Sequence, residues 1–145
     1  MAASCPARLA AGGFPNGDAT VASAVVVDEG RVLLIRRAVA AGSLVWSFPS
    51  GKVEVGEEPV EAAVREALEE AGVVVEAASV LGGRVHPVTG WRVVYVACRL
   101  LSGEARAASP REVAEVAWVG LEDLARLVPG GVFEPVQEYL DGALI

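Results

Sequence analysis

The sequence predicts an α/β fold in which helices cover both faces of a β-sheet. Three apolar stretches of strand length, residues 20–27, 31–37 and 92–101, are rich in β-branched side chains, a composition typical of strands. An amphipathic segment between the second and third stretches starts at Pro59 and stops before Gly72, residue types that suit the first helical turn and the position just past a helix end. Strands, a helix, more strands and further helices in this order are typical of a layered α/β sandwich.

Two strands lead into the helical segment. Residues 20–27 are apolar without alternating polar positions, which predicts a strand buried on both faces of the sheet. Residues 28–30 favour a turn, so residues 31–37 are predicted to return beside the first strand as a hairpin. The stretch from Trp46 to Gly51 is predicted to be part of a loop that feeds the helix.

The second half of the chain is predicted to complete the sheet and to add two helices. Residues 73–81 favour a strand that the glycine pair 82–83 ends, and a later strand ends at Val119. A short helix over 121–128 and an amphipathic helix over 133–144 close the chain. The residues expected to face inward from the last helix are Val136, Tyr139, Leu140 and Leu144.

Length and composition predict a single folded domain. A chain of 145 residues, 53% of them apolar, is large enough for a proper core and too apolar to be disordered. Residues 1–18 are rich in Ala, Gly and Pro and are expected to be a flexible tail, which leaves residues 19–145 as the domain. The longest apolar runs are too short to cross a bilayer, so no membrane partner is expected.

The net charge and the cysteine content indicate which partners and which cellular compartment to expect for this protein. The net charge of −7 argues against a nucleic-acid polymer, because the chain has no basic stripe to neutralise a phosphate backbone. A small nucleotide remains open as a partner, since metal ions can supply positive charge. Cys5 and Cys98 lack metal-ligand spacing and are expected to be free thiols in a reducing cytosol, which predicts a cytoplasmic protein.

The helical segment has two different faces on a wheel of about 100° per residue. Glu66, Glu69 and Glu70 lie together on one side. The residues that share the opposite, apolar arc are Val60, Val64, Ala67, Leu68 and Ala71. Repulsion among the carboxylates costs only about 0.2–0.5 kcal/mol per pair, so a solvated acidic face is a simple alternative to a metal site.

The loop and the helix together follow a spacing that resembles the Nudix box. The motif residues are, in order, Gly51, Glu57, Arg65, Glu66, Glu69, Glu70 and Gly72. Within the box the chain departs from the family pattern only at Ala67, where a larger aliphatic residue is usual. The resemblance implies a Nudix hydrolase, an enzyme that cleaves nucleoside diphosphates linked to another group. It also implies the Nudix fold, an α/β/α sandwich with a mixed β-sheet.

The resemblance further implies a metal site. In the family, the glutamates at the positions of Glu66, Glu69 and Glu70 bind divalent metal, often with the carbonyl of the first box glycine, here Gly51. Carboxylate oxygens suit Mg²⁺, with Mn²⁺ as the alternative, because both are hard cations. Such cations neutralise a diphosphate and lower the pKa of bound water.

Two further positions are expected to support this chemistry. Arg65 resembles the family arginine that pairs with the loop glutamate, here Glu57, and a pair with a neighbouring helical glutamate is the alternative. Outside the box, Glu112 is the preferred candidate for a further metal ligand or general base. Glu115 is the second choice because it enters a strand.

Four residues are candidates for contact with the substrate: Arg36, Trp46, His86 and Trp91. Arg36 ends the second strand and is either a phosphate ligand or a solvated strand end, whereas its neighbour Arg37 is expected to be solvated. Trp46 either packs beneath the loop or borders the substrate. His86 and Trp91 belong to a loop that is expected to shape the substrate pocket.

The predicted function is that of a Mg²⁺-dependent pyrophosphohydrolase acting on the diphosphate linkage of a nucleoside diphosphate derivative. The short chain favours a nucleoside triphosphate, ordinary or oxidised. The alternative is an ADP-ribose or nucleotide-sugar pyrophosphatase, since the position of Pro87 after Gly72 resembles the ADP-ribose subgroup. A catalytically silent nucleotide-binding module is the alternative of another class. The general base, the number of metal ions and the oligomeric state stay open, and a homodimer is compatible with the family.

Overall fold

The computed structural model of the protein describes residues 20–38, 44–87 and 89–145, so the predicted tail over residues 1–18 lies outside the described residues. The strands are β1 (Thr20–Asp28), β2 (Arg31–Ala38), β3 (Leu44–Ser47), β4 (Ser50–Lys52), β5 (Val74–Val85), β6 (Arg92–Ser102) and β7 (Val113–Val119). The helices are α1 (Pro59–Ala71), α2 (Leu121–Leu127) and α3 (Glu134–Ala143). None of these three helices is long and apolar enough to cross a membrane.

The described strands form one mixed sheet with the order β3-β2-β1-β6-β5. β1 runs parallel to β6 and antiparallel to β2 and β4, and β7 joins the sheet beside β2. β1 therefore lies inside the sheet, and most of its side chains are buried. The predicted hairpin and the prediction of a first strand buried on both faces are confirmed.

Helices cover both faces of this sheet, which confirms the predicted α/β/α sandwich. On one face, Ala63 and Ala67 of α1 share a core with Leu33 of β2. On the other face, Leu140 of α3 shares a second core with Leu34 of β2. Successive residues of β2 face different helices because side chains alternate along a strand.

Helix α1 begins at Pro59 as predicted, and it ends before Gly72, whose φ of +72° is the left-handed conformation that favours glycine. Its orientation differs from the prediction. Glu66 and Glu70 are buried, with 8% and 3% of their surface exposed, whereas Leu68 is 51% exposed. The predicted apolar arc is therefore wrong at Leu68. Small alanine side chains let the helix lie close to the sheet, and this brings the two carboxylates against the loop.

The strand that follows α1 does not end at the glycine pair 82–83, and that prediction is wrong. β5 continues to Val85, and Gly82 pairs with Tyr95 of β6 after a register shift. The φ of Gly82 is +147°, and a β-carbon at this position would lie 3.1 Å from the ring of Phe133. The glycine thus allows a bulge and close packing within a continuous strand.

β3 and β4 lie where the sequence predicts a loop. Ser50 and Gly51 of β4 pair with Ser23 and Ala22 of β1, so the start of the box is attached to the centre of the sheet. Strands of four and three residues are too short to show a periodic pattern of their own. Their pairing with distant strands determines them.

The burial of α1 and α3 predicts different outcomes for two substitutions. Leu140→Ala removes a side chain that is fully buried between α3 and the sheet, and it should lower the free energy of unfolding by about 2–5 kcal/mol. Leu68→Ala, at a half-exposed position, should lower it by less than about 1 kcal/mol. Urea unfolding of both variants measures the difference. Equal losses would contradict the orientation of α1.

Burial also predicts an inert thiol in β6. Cys98 is 2% exposed, and burial raises the pKa of its thiol to about 12. In a Cys5→Ser variant, which leaves Cys98 as the only cysteine, a thiol reagent at about pH 8 should label the native protein orders of magnitude more slowly than the urea-unfolded protein. Mass spectrometry of the labelled chain gives the two rates. Rapid labelling of the native protein would refute the burial of this strand position.

Candidate active site

Arg65 of α1 joins the loop of the box to the helix. Its Nε and Nη2 donate to the two carboxylate oxygens of Glu57 over 2.8 and 2.9 Å, and Nη2 also donates to the carbonyl oxygen of Lys52 over 2.9 Å. Nη1 donates to Glu66 over 2.8 Å and to Glu69 over 3.3 Å. The pair with the loop is present as the resemblance implies. The alternative, a pair with a helical neighbour, is present as well.

Gly51 of β4 lies directly against the carboxylate of Glu66. A β-carbon added at position 51 would overlap that carboxylate. Glycine is therefore required for the close approach of strand and helix at this point. Because Gly51 pairs with Ala22 of β1, the sheet sets the position of this glycine against the helix.

Glu70 is held by Arg37, which the sequence predicts to be a solvated strand end. Arg37 Nη2 donates to Glu70 Oε1 over 2.9 Å, and the Ser50 N–H donates to the same oxygen over 3.0 Å. The prediction for Arg37 is wrong because alternation along β2 puts this residue on the same face as Leu33, toward α1. Counting that alternation is the signal that identifies Arg37 from the sequence.

Burial changes the acidity of both held glutamates. Burial, reinforced by the nearby charge of Glu70, raises the pKa of Glu66 to about 7 despite the opposing effect of Arg65. Burial also raises the pKa of Glu70, which the charge of Arg37 only partly offsets. By contrast, hydrogen bonds from Arg65 lower the pKa of Glu57. For both carboxylates, burial therefore outweighs the stabilisation that the neighbouring arginine gives to the charged form.

The donor chemistry of these residues fits a divalent cation. Glu66 and Glu70 offer carboxylate oxygens, the ligands that Mg²⁺ and Mn²⁺ prefer, and Glu69 adds a third carboxylate whose side chain is 56% exposed. Within the described part of the chain, no three acidic, histidine or cysteine groups converge as a ready-made metal site. Arginine side chains neutralise two of the carboxylates instead. A divalent cation bound by these carboxylates would add positive charge that favours their ionised form.

Of the two acids outside the box, Glu112 is the one that lies near the box glutamates. It is exposed in the turn before β7, and its charge contributes to the raised pKa of Glu70. Glu115 lies within β7 and accepts a hydrogen bond of 2.6 Å from Arg36 Nη1. Glu112, the preferred candidate from the sequence, is thus the acid closer to the box. Its role as a metal ligand or general base stays a prediction.

Arg36 and Trp46 lie on the face of the sheet opposite α1. They are cross-strand partners in β2 and β3, and Trp46 packs against the core formed by α2 and α3. The Arg36 side chain is engaged in a partly exposed ion pair with Glu115. The structure does not bring Arg36 or Trp46 to the buried glutamates, and their roles in substrate binding stay predictions.

His86 and Trp91 close the connection between β5 and β6. The His86 N–H donates to the Trp91 carbonyl oxygen over 2.8 Å, and the Trp91 N–H donates to Thr89 Oγ1 over 3.2 Å. The ammonium nitrogen of Lys52 lies 5.3 Å from the centroid of the Trp91 ring, so this connection contacts the residue that follows Gly51. Lys52, the only lysine in the chain, is absent from the candidates that the sequence predicts.

Comparisons with known proteins agree with this geometry. A family model described as the NUDIX domain matches residues 17–139. A MutT-like protein of Streptomyces ambofaciens is 30% identical over 129 residues, which cover 89% of this chain and 80% of that protein. A Caenorhabditis elegans protein named as a nudix hydrolase is 32% identical over 108 residues, which cover 72% of this chain and 29% of that protein. The chain therefore spans less than a third of the second relative.

The similarity extends to solved structures. A NUDIX hydrolase from Nitrosomonas europaea aligns with a TM-score of 0.71 at 25% sequence identity, covering 85% of this chain and 70% of that chain. The predicted Nudix fold is thereby confirmed. The family model includes the whole box, from the glycine of β4 to the end of α1, together with the strands that position it. The chain belongs to the Nudix hydrolase family.

Proposed function

We propose that the protein is a divalent-metal-dependent pyrophosphohydrolase that cleaves the diphosphate linkage of a nucleoside triphosphate, ordinary or oxidised. The observation that supports this function is the pair of buried carboxylates, Glu66 and Glu70, beside Gly51. Each is held by an arginine, and the pKa of each is raised. Buried acids with strongly perturbed pKa values cluster at functional sites, and a buried ion pair is weak evidence for a role in stability.

Glu66, Glu69 and Glu70, with the carbonyl of Gly51, are the residues that would hold Mg²⁺ or Mn²⁺. Such a cation supplies neutralisation of the diphosphate and a bound water of lowered pKa. The protein's own part is positioning. Arg65 holds the loop against α1, and a backbone N–H from β4 orients Glu70. Because Glu66 and Glu70 are shielded from water, charge interactions there are stronger than at the surface.

A panel of compounds tests this function and separates its alternatives. The protein is incubated with ordinary and oxidised nucleoside triphosphates, ADP-ribose, dinucleoside polyphosphates and nucleotide sugars, in Mg²⁺, in Mn²⁺ or in a chelator. Release of a nucleoside monophosphate from a triphosphate, lost in the chelator and restored by added metal, supports the proposal. Preferred cleavage of ADP-ribose or a nucleotide sugar supports the alternative substrate class. Nucleotide-dependent thermal stabilisation without any product would indicate a silent binding module.

The remaining features of the proposal concern partners and location. We propose a small nucleotide as the partner. We also propose a cytosolic location, because the two cysteines are expected to be free thiols in a reducing compartment. A homodimer stays compatible with the family, and light scattering on the purified protein measures its mass in solution.

Removal of either of two box charges should abolish most of the turnover. Glu69→Gln and Glu70→Gln each replace a charged ligand with a neutral one of the same shape, and each should lower kcat by about 100-fold or more. Glu61→Gln is the matched control on the same helix, since glutamine keeps an oxygen that accepts the Glu58 N–H. Circular dichroism checks that all three variants fold. Full activity of either site variant would contradict the metal assignment.

The branched guanidinium of Arg65 predicts that a substitution that keeps the positive charge still lowers kcat. Arg65→Lys keeps the positive charge, but an ammonium cannot bind both oxygens of Glu57 and the Lys52 carbonyl in one plane. We expect kcat to fall by about tenfold or more because the loop is no longer held in register. Arg126→Lys is the control, since Arg126 makes an exposed pair with Asp123 on α2. Unchanged kinetics in Arg65→Lys would show that the loop is positioned without the hydrogen bonds of the guanidinium.

A further inference from the structure

The turn that carries Glu112 is attached at both of its ends to Glu70. We infer that these two attachments position the Glu112 carboxylate beside the box, which makes the main-chain N–H of Ala108 a positioning group for the reaction. This inference rests on the proposed function and on the predicted part of Glu112 in it. It assigns to Ala108 no contact with the substrate.

The first attachment lies at the C-terminal end of α1. The last carbonyl groups of a helix have no partner within the helix, and N–H groups of a neighbouring segment can satisfy them. The connection between β6 and β7 supplies such groups. The Ala108 N–H donates to the Glu70 carbonyl oxygen over 3.1 Å, and the Arg106 N–H donates to the Ala71 carbonyl oxygen over 2.9 Å. The connection is therefore bound to the same residue whose side chain belongs to the box.

The second attachment runs through Arg37 and β7. The backbone of Arg37 pairs with Val113, the residue after Glu112. The side chain of Arg37 donates to Glu70 Oε1 over 2.9 Å. Val113 is 1% exposed and belongs to the core between α1 and the sheet. One arginine thus links the end of the turn to the Glu70 carboxylate.

A β-bulge decides where the turn ends. The register between β2 and β7 shifts by one residue between Arg36 and Arg37, so Ala114 is an additional residue in β7. Because side chains alternate along a strand, the extra residue returns Val113 to the face toward α1. In a regular ladder Ala114 would be the partner of Arg37, and Glu112 would lie one residue further along the strand from it.

The turn between the two attachments is short and closed. The Ser109 carbonyl oxygen accepts the N–H groups of Glu112 and Val113, each over 2.8 Å. Pro110 occupies the second position of this turn, where its fixed φ is favourable. Glu112 is exposed, and its charge contributes to the raised pKa of Glu70. The Glu112 side chain is therefore open to solvent near Glu70, while its backbone is held.

Removal of the Ala108 donor tests the first attachment. Ala108→Pro lacks the N–H, whereas Ala108→Gly keeps it and is the matched control. We expect Ala108→Pro to lower kcat by about tenfold and to leave KM within about twofold, because a misplaced catalytic group slows the reaction without weakening substrate binding. Ala108→Gly should lower kcat by less than about threefold. Both constants are measured with the panel compound that the wild-type protein cleaves fastest.

A double-mutant cycle separates the positioning of Glu112 from a general structural role. Glu112→Gln alone should lower kcat by about 100-fold, and Ala108→Pro should then lower it by no more than about twofold further. In an Arg65→Lys background the tenfold effect of Ala108→Pro should persist, because Arg65 binds other carboxylates. An equal loss from Ala108→Pro in the wild-type and Glu112→Gln backgrounds would overturn the inference.

An insertion gives a second test that keeps both attachments. One glycine inserted between Pro110 and Arg111, which are both exposed, lengthens the turn and displaces Glu112. Exposed loop tips tolerate insertions, and circular dichroism checks the fold. We expect kcat to fall by about tenfold or more, with KM within about twofold. Wild-type kcat in this variant would refute the positioning role, even if Ala108→Pro does not fold.

Amide hydrogen exchange tests the attachment without any measurement of activity. Ala108→Pro should raise the exchange rates of the Glu112 and Val113 N–H groups by about tenfold, and Ala108→Gly should raise them far less. NMR gives the rate of each amide. Unchanged rates in Ala108→Pro would show that the turn is held without this hydrogen bond, which contradicts the inference.

Failure of the inference is distinguishable from failure of the proposed function. If the wild-type protein cleaves no compound of the panel, the proposed function is wrong and the inference falls with it. If the wild-type protein is active and Glu112→Gln keeps full activity, the inference alone is wrong.

Discussion

The ion pair between Arg65 and Glu57 is the interaction on which the rest of the site depends. It joins the loop to α1, and the same guanidinium reaches the Lys52 carbonyl and the Glu66 carboxylate. Arg65 also affects two pKa values differently. It lowers the pKa of Glu57, whereas at Glu66 it only partly opposes the rise in pKa that burial causes. The sheet sets the position of Gly51, and Arg65 ties the next residue, Lys52, to α1.

Burial of like charges is the second constraint on the site. A carboxylate removed from water is costly unless it is paired, and a pair of carboxylates on one helix adds mutual repulsion. Arg65 and Arg37 reduce this cost for Glu66 and Glu70, yet both pKa values stay raised. The alanine residues of α1 allow the helix to lie close enough to the sheet for Glu66 and Glu70 to be buried, since larger side chains would hold the helix further away. The two raised pKa values thus lie at the point where chemistry is proposed.

The two sides of β4 contact different parts of the protein. The face toward α1 holds the carboxylates and the arginine of the family box, together with Arg37 of β2, which lies outside the box. Lys52 turns to the other side of β4 and meets the β5–β6 connection at Trp91. Connections vary more than the elements they join, and they hold much of the specificity of a fold. The box therefore identifies the family, whereas contact between the β5–β6 connection and the substrate stays a prediction.

Local pattern in the sequence by itself determined the box spacing, the ends of α1, the hairpin and the order of the helices and longer strands, because these depend on contacts between near neighbours in the chain. Tertiary structure alone decided the pairing of Arg37 with Glu70, the exposure of Leu68 and the continuation of β5 through Gly82 beside Phe133. In each case a partner far along the chain sets the outcome. A helix wheel shows which residues share a face, but only packing against the sheet decides which face is buried.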